Sequence, residues 1–366
     1  MQNLDFFPSR TLTVYLARLF VVRIAAVLVM LILVLMMLDL LAKSGEILAV
    51  PGNGQAQLLT YVSLRMPELV ETFLPYSVLL ATIITLLTLN QNSEVIAMKA
   101  AGMSAFQVLA PLLLTALVVS GLSFAFNERI VTRATATLSA WSANDYAPLP
   151  PGSDVLANVY LSDGTNVLMA ETVSGHGEST RLSGVTWYRL GPGGLIAEQI
   201  TAPAATYAAP GWRLTDATRF SVERVARTAV PEVIVGEGIQ PDALRLSRVN
   251  PDAETFRSLG QIIEQYRQAG RRTSALEASR WHKLSGPLAA FLMPLLGAIA
   301  AFGLARSGKL FVRALIGMAL GFAYFVFDNA ALAMGSFGGY PPVLAAWLPF
   351  VLFFLIGQTV LVRTEE

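Results

Sequence analysis

Long stretches without a single charge dominate this chain. Ile24–Leu38, Thr72–Ser93, Ala100–Asn127, Leu284–Ala305 and Val343–Val362 contain no Asp, Glu, Lys or Arg, and Leu310–Met334 contains only Arg313 and Asp328. A bilayer crossing takes about 20 predominantly apolar residues, and these stretches are close to that length. The pattern predicts six transmembrane helices: about Leu12–Ala42, Leu58–Ser93, one within Ala100–Asn127, Leu284–Ala305, Leu310–Met334 and Val343–Val362. The second starts well before its uncharged part, so its beginning projects outside the bilayer or borders a wet cavity, and Pro67 and Pro75 should bend it. The first apolar run is too long for a cleaved leader, and no small-residue cleavage site follows it.

Composition agrees. Apolar residues make up 54% of the chain and charged ones 14%, against about 25% charged in soluble domains. The net charge of +1 gives no electrostatic case for nucleic acid. Without cysteine there is no disulfide, thiolate metal site or Cys nucleophile. His176 and His282, the two histidines, are too few and too far apart in sequence for a zinc site.

Basic residues in short loops set the orientation. Arg306, Lys309 and Arg313 lie between the fourth and fifth crossings, Lys99 lies between the second and third, and Arg10, Arg18 and Arg23 accompany the start of the first. With six spans all of these fall on one side, which makes both termini cytoplasmic. Gly335–Pro342, on the opposite side, carries no charge. Arg271, Arg272, Arg280 and Lys283 disagree, but a long translocated segment upstream weakens the charge rule there.

From about Asp145 to Asn250 the periodicity changes to two, as in Val159-Tyr160-Leu161 and Val167-Leu168-Met169. Turn signals recur at Asp163-Gly164, Gly191-Pro192-Gly193-Gly194 and Pro210-Gly211. Short strands at this spacing predict an all-β sandwich or jelly roll. An amphipathic helix, about Ala253–Ala269 with Gly270 as its C-cap, leads back to the membrane. The domain plan is residues 1–140 for the first three crossings, 141–252 for the β domain and 253–366 for a connecting helix and the last three crossings.

Two segments carry candidate chemistry. Gly303-Leu304-Ala305-Arg306-Ser307-Gly308-Lys309-Leu310 looks like a phosphate-binding loop but ends in Leu310 where Ser or Thr must hold magnesium, and it joins two apolar helices. It reads as a basic membrane-interface loop. Ser93–Gly102 reads as a short separate helix near 93–102, with Ser93 as N-cap, Glu94 at the positive end and Gly102 at the C-cap. Such a helix is either a docking element for a cytosolic partner or an ordinary connector on the membrane surface. Ionisable residues near membrane depth call for a functional hypothesis. Asp39, Lys43, Arg65, Glu68, Glu71, Arg129, Arg133 and Asp328 are of this kind. Singly each reads as an interfacial or snorkelling charge. Together Lys43, Arg65, Arg129 and Arg133 would make an outer cationic rim suited to phosphate groups.

Four stretches in order, Phe73-Leu74-Pro75-Tyr76 leading into Ser93–Met103, then Val159–Gly164, Trp212-Arg213-Leu214, and Tyr340–Pro349, make the chain resemble the lipopolysaccharide-export permease family (LptF/LptG), its G-type members more than its F-type. The resemblance spans the whole chain. It implies a permease subunit of an ABC transporter of the Gram-negative inner membrane, with six transmembrane helices and an inserted periplasmic jelly-roll domain. The subunit would pair with an F-type permease and a cytosolic ATPase dimer, and it would pass lipopolysaccharide to a periplasmic bridge protein of similar β-domain fold and its membrane anchor. The chain would be no enzyme and hold no cofactor; ATP and Mg would be bound by the ATPase. The resemblance makes Ser93, Glu94, Val95, Ile96, Met98 and Lys99 a coupling helix that docks in the ATPase, with Glu94 its acidic residue. It places Lys43 and Arg133 at basic positions after the first and third crossings, while Met36 and Ala42 are apolar where the family can carry lysines. The alternatives are a permease of the lipoprotein-release type and a non-transporting membrane scaffold.

Overall fold

The structure is a computed structural model that describes residues 8–148, 156–162, 166–175, 179–191, 195–222, 226–239, 249–268, 271–302 and 310–363. His176, the turns expected at Asp163-Gly164 and Pro192–Gly194, the Gly270 cap and the loop 303–309 lie outside the described residues. The chain divides into two compact units, one made of Met1–Ala42, Val62–Thr135 and Pro251–Glu366, the other of Lys43–Tyr61 and Ala136–Asn250.

The first unit is built from helices α1 (Arg10–Leu48), α2 (Gln55–Gln91), α3 (Glu94–Ala100), α4 (Ala105–Phe126), α5 (Thr132–Ala143), α6 (Phe256–Gln268), α7 (Ser274–Phe302), α8 (Leu310–Ser336) and α9 (Pro342–Arg363), with the far ends of α1 and α5 and the start of α2 assigned to the second unit. A π-helical turn, Asn127–Val131, joins α4 to α5 without interrupting the helix. Five stretches are long and apolar enough to cross a membrane: Arg10–Leu48, Gln55–Gln91, Ala105–Ala143, Ala314–Ser336 and Pro342–Val362. This is a multi-pass membrane protein. Helix α7 is not among the five. Its first turns carry Glu277, Arg280 and Lys283, and its uncharged run continues to Ala305, past its last described residue.

Helix α1 is longer than the sequence pattern indicates, whereas α2 lies within a few residues of it at either end. At 1.5 Å per residue, the 39 residues of α1 span about 58 Å, nearly twice a hydrocarbon core of about 30 Å. Charge does not end α1, because Lys43 and Glu46 pair across one turn at 2.9 Å. The core of the bundle gathers Leu16, Phe20 and Ile24 of α1, Val78 and Leu86 of α2, Leu109 and Leu112 of α4, and Leu292, Met293 and Leu296 of α7. In lipid the hydrophobic effect does not drive helices together, so close packing over small residues must. A Cβ on Gly297 of α7 would lie 2.7 Å from Thr82 Cγ2 of α2, and one on Gly321 of α8 would collide with Leu79.

In the second unit, β1 (Leu156–Ser162), β2 (Asn166–Ser174), β3 (Arg181–Leu190), β4 (Ile196–Ala208), β5 (Gly211–Ser221) and β6 (Ala226–Val235) form one six-stranded antiparallel sheet. Each strand pairs with its neighbours in sequence, in the order β1-β2-β3-β4-β5-β6. Among the described residues this is an up-and-down meander, without the second sheet and the Greek-key return of a jelly roll. Alternation reveals that strands exist and which side chains share a face; it carries no information on crossovers. The buried face holds Leu168, Ala170, Leu182, Val185, Trp187, Ile200, Trp212 and Leu214. Trp212 is fully buried, and its indole Nε1 donates to Ile239 O at 2.9 Å. Glu198 on β4 takes Arg189 and Arg219 from the flanking strands, each at 2.8 Å.

Candidate functional site

Helix α3 hangs between α2 and α4 as a separate seven-residue element. Its C-terminal end closes as a Schellman motif: Met103 N donates to Met98 O at 3.2 Å, Gly102 N donates to Lys99 O at 3.0 Å, and Gly102 takes the φ of +85° that glycine tolerates. Its N-terminal end differs from the sequence expectation. Ser93 occupies the cap position, but with φ of 61° its side chain makes no capping bond. A cap side chain reaches the next turn's N–H groups from the extended region of backbone space, and Ser93 is left-handed. The following helix shows the contrast, since Ser104 and Gln107 make a full capping box.

The faces of α3 are unequal. Val95 and Met98 are buried in the core of the bundle, whereas Ile96 is 62% exposed and Ser93 and Lys99 are exposed. Two residues thus anchor the helix and the others remain accessible. Glu94 is half-buried. Its carboxylate accepts from Tyr15 Oη of α1 at 3.2 Å and from Asn92 Nδ2 at 3.4 Å. No local pattern points to the Tyr15 contact, because the two residues lie 79 positions apart.

The four basic residues expected to form a rim have different surroundings. Lys43 belongs to the unit that contains the sheet and pairs with Glu46 at 2.9 Å. In the helical unit, Arg65 is held by Glu68 at 2.6 Å and by Asp39 at 3.4 Å. Arg129 and Arg133 are exposed and four positions apart, across the junction of the π turn and α5.

A polar cavity of about 600 Å³ opens inside the helical unit, walled by α2, the α4–α5 junction, α7 and α8. Glu71 of α2 accepts from Asn127 Nδ2 at the start of the π turn, and Lys283 Nζ of α7 donates to Asn127 Oδ1 at 3.3 Å. Next to this chain, His282 Nε2 lies 3.8 Å from Asp328 Oδ2, and His282 Nδ1 meets Ser285 Oγ at 3.4 Å. Glu128, also in the π turn, accepts from Phe256 N at 2.8 Å and so caps the start of α6. Sequence reasoning singled out Glu71 and Asp328 as costly charges and His282 as a lone histidine, but missed Asn127 and the convergence of all of them. The available signal was a polar residue in the outer part of each of four predicted helices. Among the described residues no group of three or more His, Asp or Glu could hold a metal ion.

Comparison with known proteins fits this architecture. The family model described as lipopolysaccharide export system permease LptF/LptG matches residues 14–363. The lipopolysaccharide export system permease protein LptG of Escherichia coli K12 is 26% identical over 311 residues, which cover 83% of this chain and 84% of that protein. The protein of the same description from Haemophilus influenzae is 23% identical over 323 residues, covering 85% and 87%. With almost all of its length matched, the chain belongs to the lipopolysaccharide export system permease family LptF/LptG.

Proposed function

We propose that this chain is the G-type permease subunit of an ABC transporter that extracts lipopolysaccharide from the inner membrane and passes it to a periplasmic bridge toward the outer membrane. The carrying observation is the family match along residues 14–363. Helix α7, with its apolar run to Ala305, is the sixth crossing. Both termini are then cytoplasmic, and the six-stranded sheet belongs to a periplasmic β domain. The chain is a transporter subunit and not a hydrolase. Energy enters from a cytosolic ATPase dimer that binds ATP and Mg, and an F-type permease completes the membrane part. The bridge protein and its membrane anchor receive the lipid.

Helix α3 supports the coupling role. Two buried anchors tie it to the bundle, so a push on Ile96, Lys99 and Ser93 is delivered to the core rather than lost in a loose loop. Glu94 connects the same push to α1 through Tyr15. On the opposite side, Lys43, Arg65, Arg129 and Arg133 serve the substrate phosphates. Lys43 and Arg65 already have carboxylate partners, so phosphate must compete for them by offering more charge and more acceptor oxygens.

The test is co-expression with the neighbouring subunits, followed by co-purified ATPase per permease and ATP-driven lipopolysaccharide release from proteoliposomes. Glu94→Ala should insert normally yet lose ATPase association or uncouple hydrolysis from release. Lys43→Glu and Arg133→Glu should weaken glycolipid crosslinking with the ATPase still attached. The chain has no cysteine, so single cysteines at Asn53 and Ser104 report topology cleanly, the first reached only from the periplasm and the second only from the cytoplasm. Full release activity without any ATPase, or a bound lipid of another class, would refute the assignment.

A further inference from the structure

The cavity between α2, α7 and α8 is lined by more acids than bases. Glu68 is taken by Arg65 at 2.6 Å, Glu71 belongs to the Asn127–Lys283 chain, and Asp252 has an interaction of its own. Asp328 lines the cavity with a side chain only 9% exposed. Its Oδ1 has no hydrogen-bond partner among the described residues. Its Oδ2 has only His282, at 3.8 Å, beyond hydrogen-bond reach. A carboxylate at membrane depth without a counter-ion is costly, and this one faces a space large enough for an organic ligand.

We propose that this cavity binds a primary organic ammonium group, with Asp328 as its counter-ion. Three features select that chemistry. A bare metal ion requires several oxygen ligands in one shell, and no such cluster exists among the described residues. Phe325, one turn before Asp328, stacks on Tyr76 with ring centroids 3.8 Å apart, and both rings line the cavity, which suits a cation beside π faces. A carboxylate accepts an N–H, which a primary ammonium can donate and a quaternary one cannot. Pro75 and Leu332, also in the lining, accommodate a short methylene stem. The amine is carried either by a lipid headgroup or by a soluble molecule, and the two sources separate by experiment.

The purified full chain in detergent is titrated with ethylammonium chloride, with sodium chloride at equal ionic strength and with 1-propanol as a neutral counterpart of similar size. Only ethylammonium should raise the unfolding temperature. Asp328→Asn should weaken its apparent affinity about thirtyfold, as expected for removing one partner of a buried charge pair, and Asp328→Glu should restore most of it. In nanodiscs containing equal phosphatidylethanolamine and phosphatidylcholine, native mass spectrometry reads the retained lipid. Enrichment of phosphatidylethanolamine that is lost in Asp328→Asn identifies a headgroup amine; no enrichment, with ethylammonium binding intact, identifies a soluble one. Equal responses of the wild type to ethylammonium and sodium chloride overturn the proposal, and so does undiminished affinity in Asp328→Asn. The first comparison uses the wild type alone, so a variant that fails to fold leaves the test standing.

Discussion

Helices α1 and α7 each carry a long uncharged run and behave oppositely as structure. In α1, Val22, Val29, Leu33, Met37 and Leu41 are exposed, and the residues that join it to the bundle core, Leu16, Phe20 and Ile24, lie in its first half. In α7, Ala289, Ala290, Leu292, Met293, Leu295, Leu296 and Ala298 are buried against α4, α8 and α9. The difference follows from side-chain size. Large branched residues make α1 a helix for lipid or for a partner, while glycine and alanine let other backbones approach α7. Apolarity therefore shows that a helix can sit in a membrane, and the distribution of small residues shows which helix the others are built around.

The sharpest way to break this comparison is Gly297→Leu in α7. Its Cβ alone would lie 2.7 Å from Thr82 Cγ2, so the side chain must force α2 and α7 apart. Overpacking of this kind costs about 3 kcal/mol at the upper end of the usual range, and the expected outcome is a large fall in unfolding temperature in detergent. A wild-type melting curve would show that α7 is not the packing centre. Phe20→Ala follows. The residue is fully buried, and in lipid mainly the cavity contribution counts, about 2 kcal/mol for a void of roughly 100 Å³. It should loosen α1 at its anchored half, read as faster proteolysis or hydrogen exchange of α1 with α7 still protected. Equal loosening of both helices would merge the two classes.

Tyr15→Phe sharpens the comparison further, because it removes the hydroxyl that ties α1 to Glu94 while keeping the ring. A net loss of about 0.5–1.5 kcal/mol is the ordinary worth of one hydrogen bond. In proteoliposomes the ratio of ATP hydrolysed to lipid released should rise as α3 moves more independently of α1. An unchanged ratio would confine α3 to its Val95 and Met98 anchors. The smallest effect belongs to Leu33→Ala. Leu33 is exposed on α1, and a surface substitution of this kind stays within about 0.5 kcal/mol for the isolated chain. If α1 meets a partner helix, the same variant should reduce co-purification of the second permease, a contrast that lipid exposure alone would not produce.

Much of this was legible in the sequence because it depends on local pattern. The long uncharged runs gave the spanning helices, Gly102 gave the end of α3, and period-two alternation gave the strands. The failures have a common cause in long-range geometry. Ser93 has the right identity for a cap and the wrong backbone angle. The meander order of the sheet depends on which strands pair, which alternation does not encode. Glu71, Asn127, Lys283 and Asp328 meet from four separate parts of the chain, and single-residue readings cannot show that the polar groups share one space. Asp39 and Glu68, the partners of Arg65, reach it from another helix and from the next turn, a pairing that the order of charges along the chain does not show.

The π turn at Asn127–Val131 also has an inheritance. A helix with a π turn holds one residue more than an α-helix needs at that place, so the feature amounts to a single inserted codon. The wide turn absorbs the extra residue, so deleting one residue within it would regularise the helix and leave everything beyond it in nearly its present phase. Arg133 would keep its side of the helix. Among relatives, a one-residue gap would therefore be tolerated at this point, whereas the same gap in a regular stretch of the helix would swing everything beyond it by about 100°, the angle of one α-helical residue.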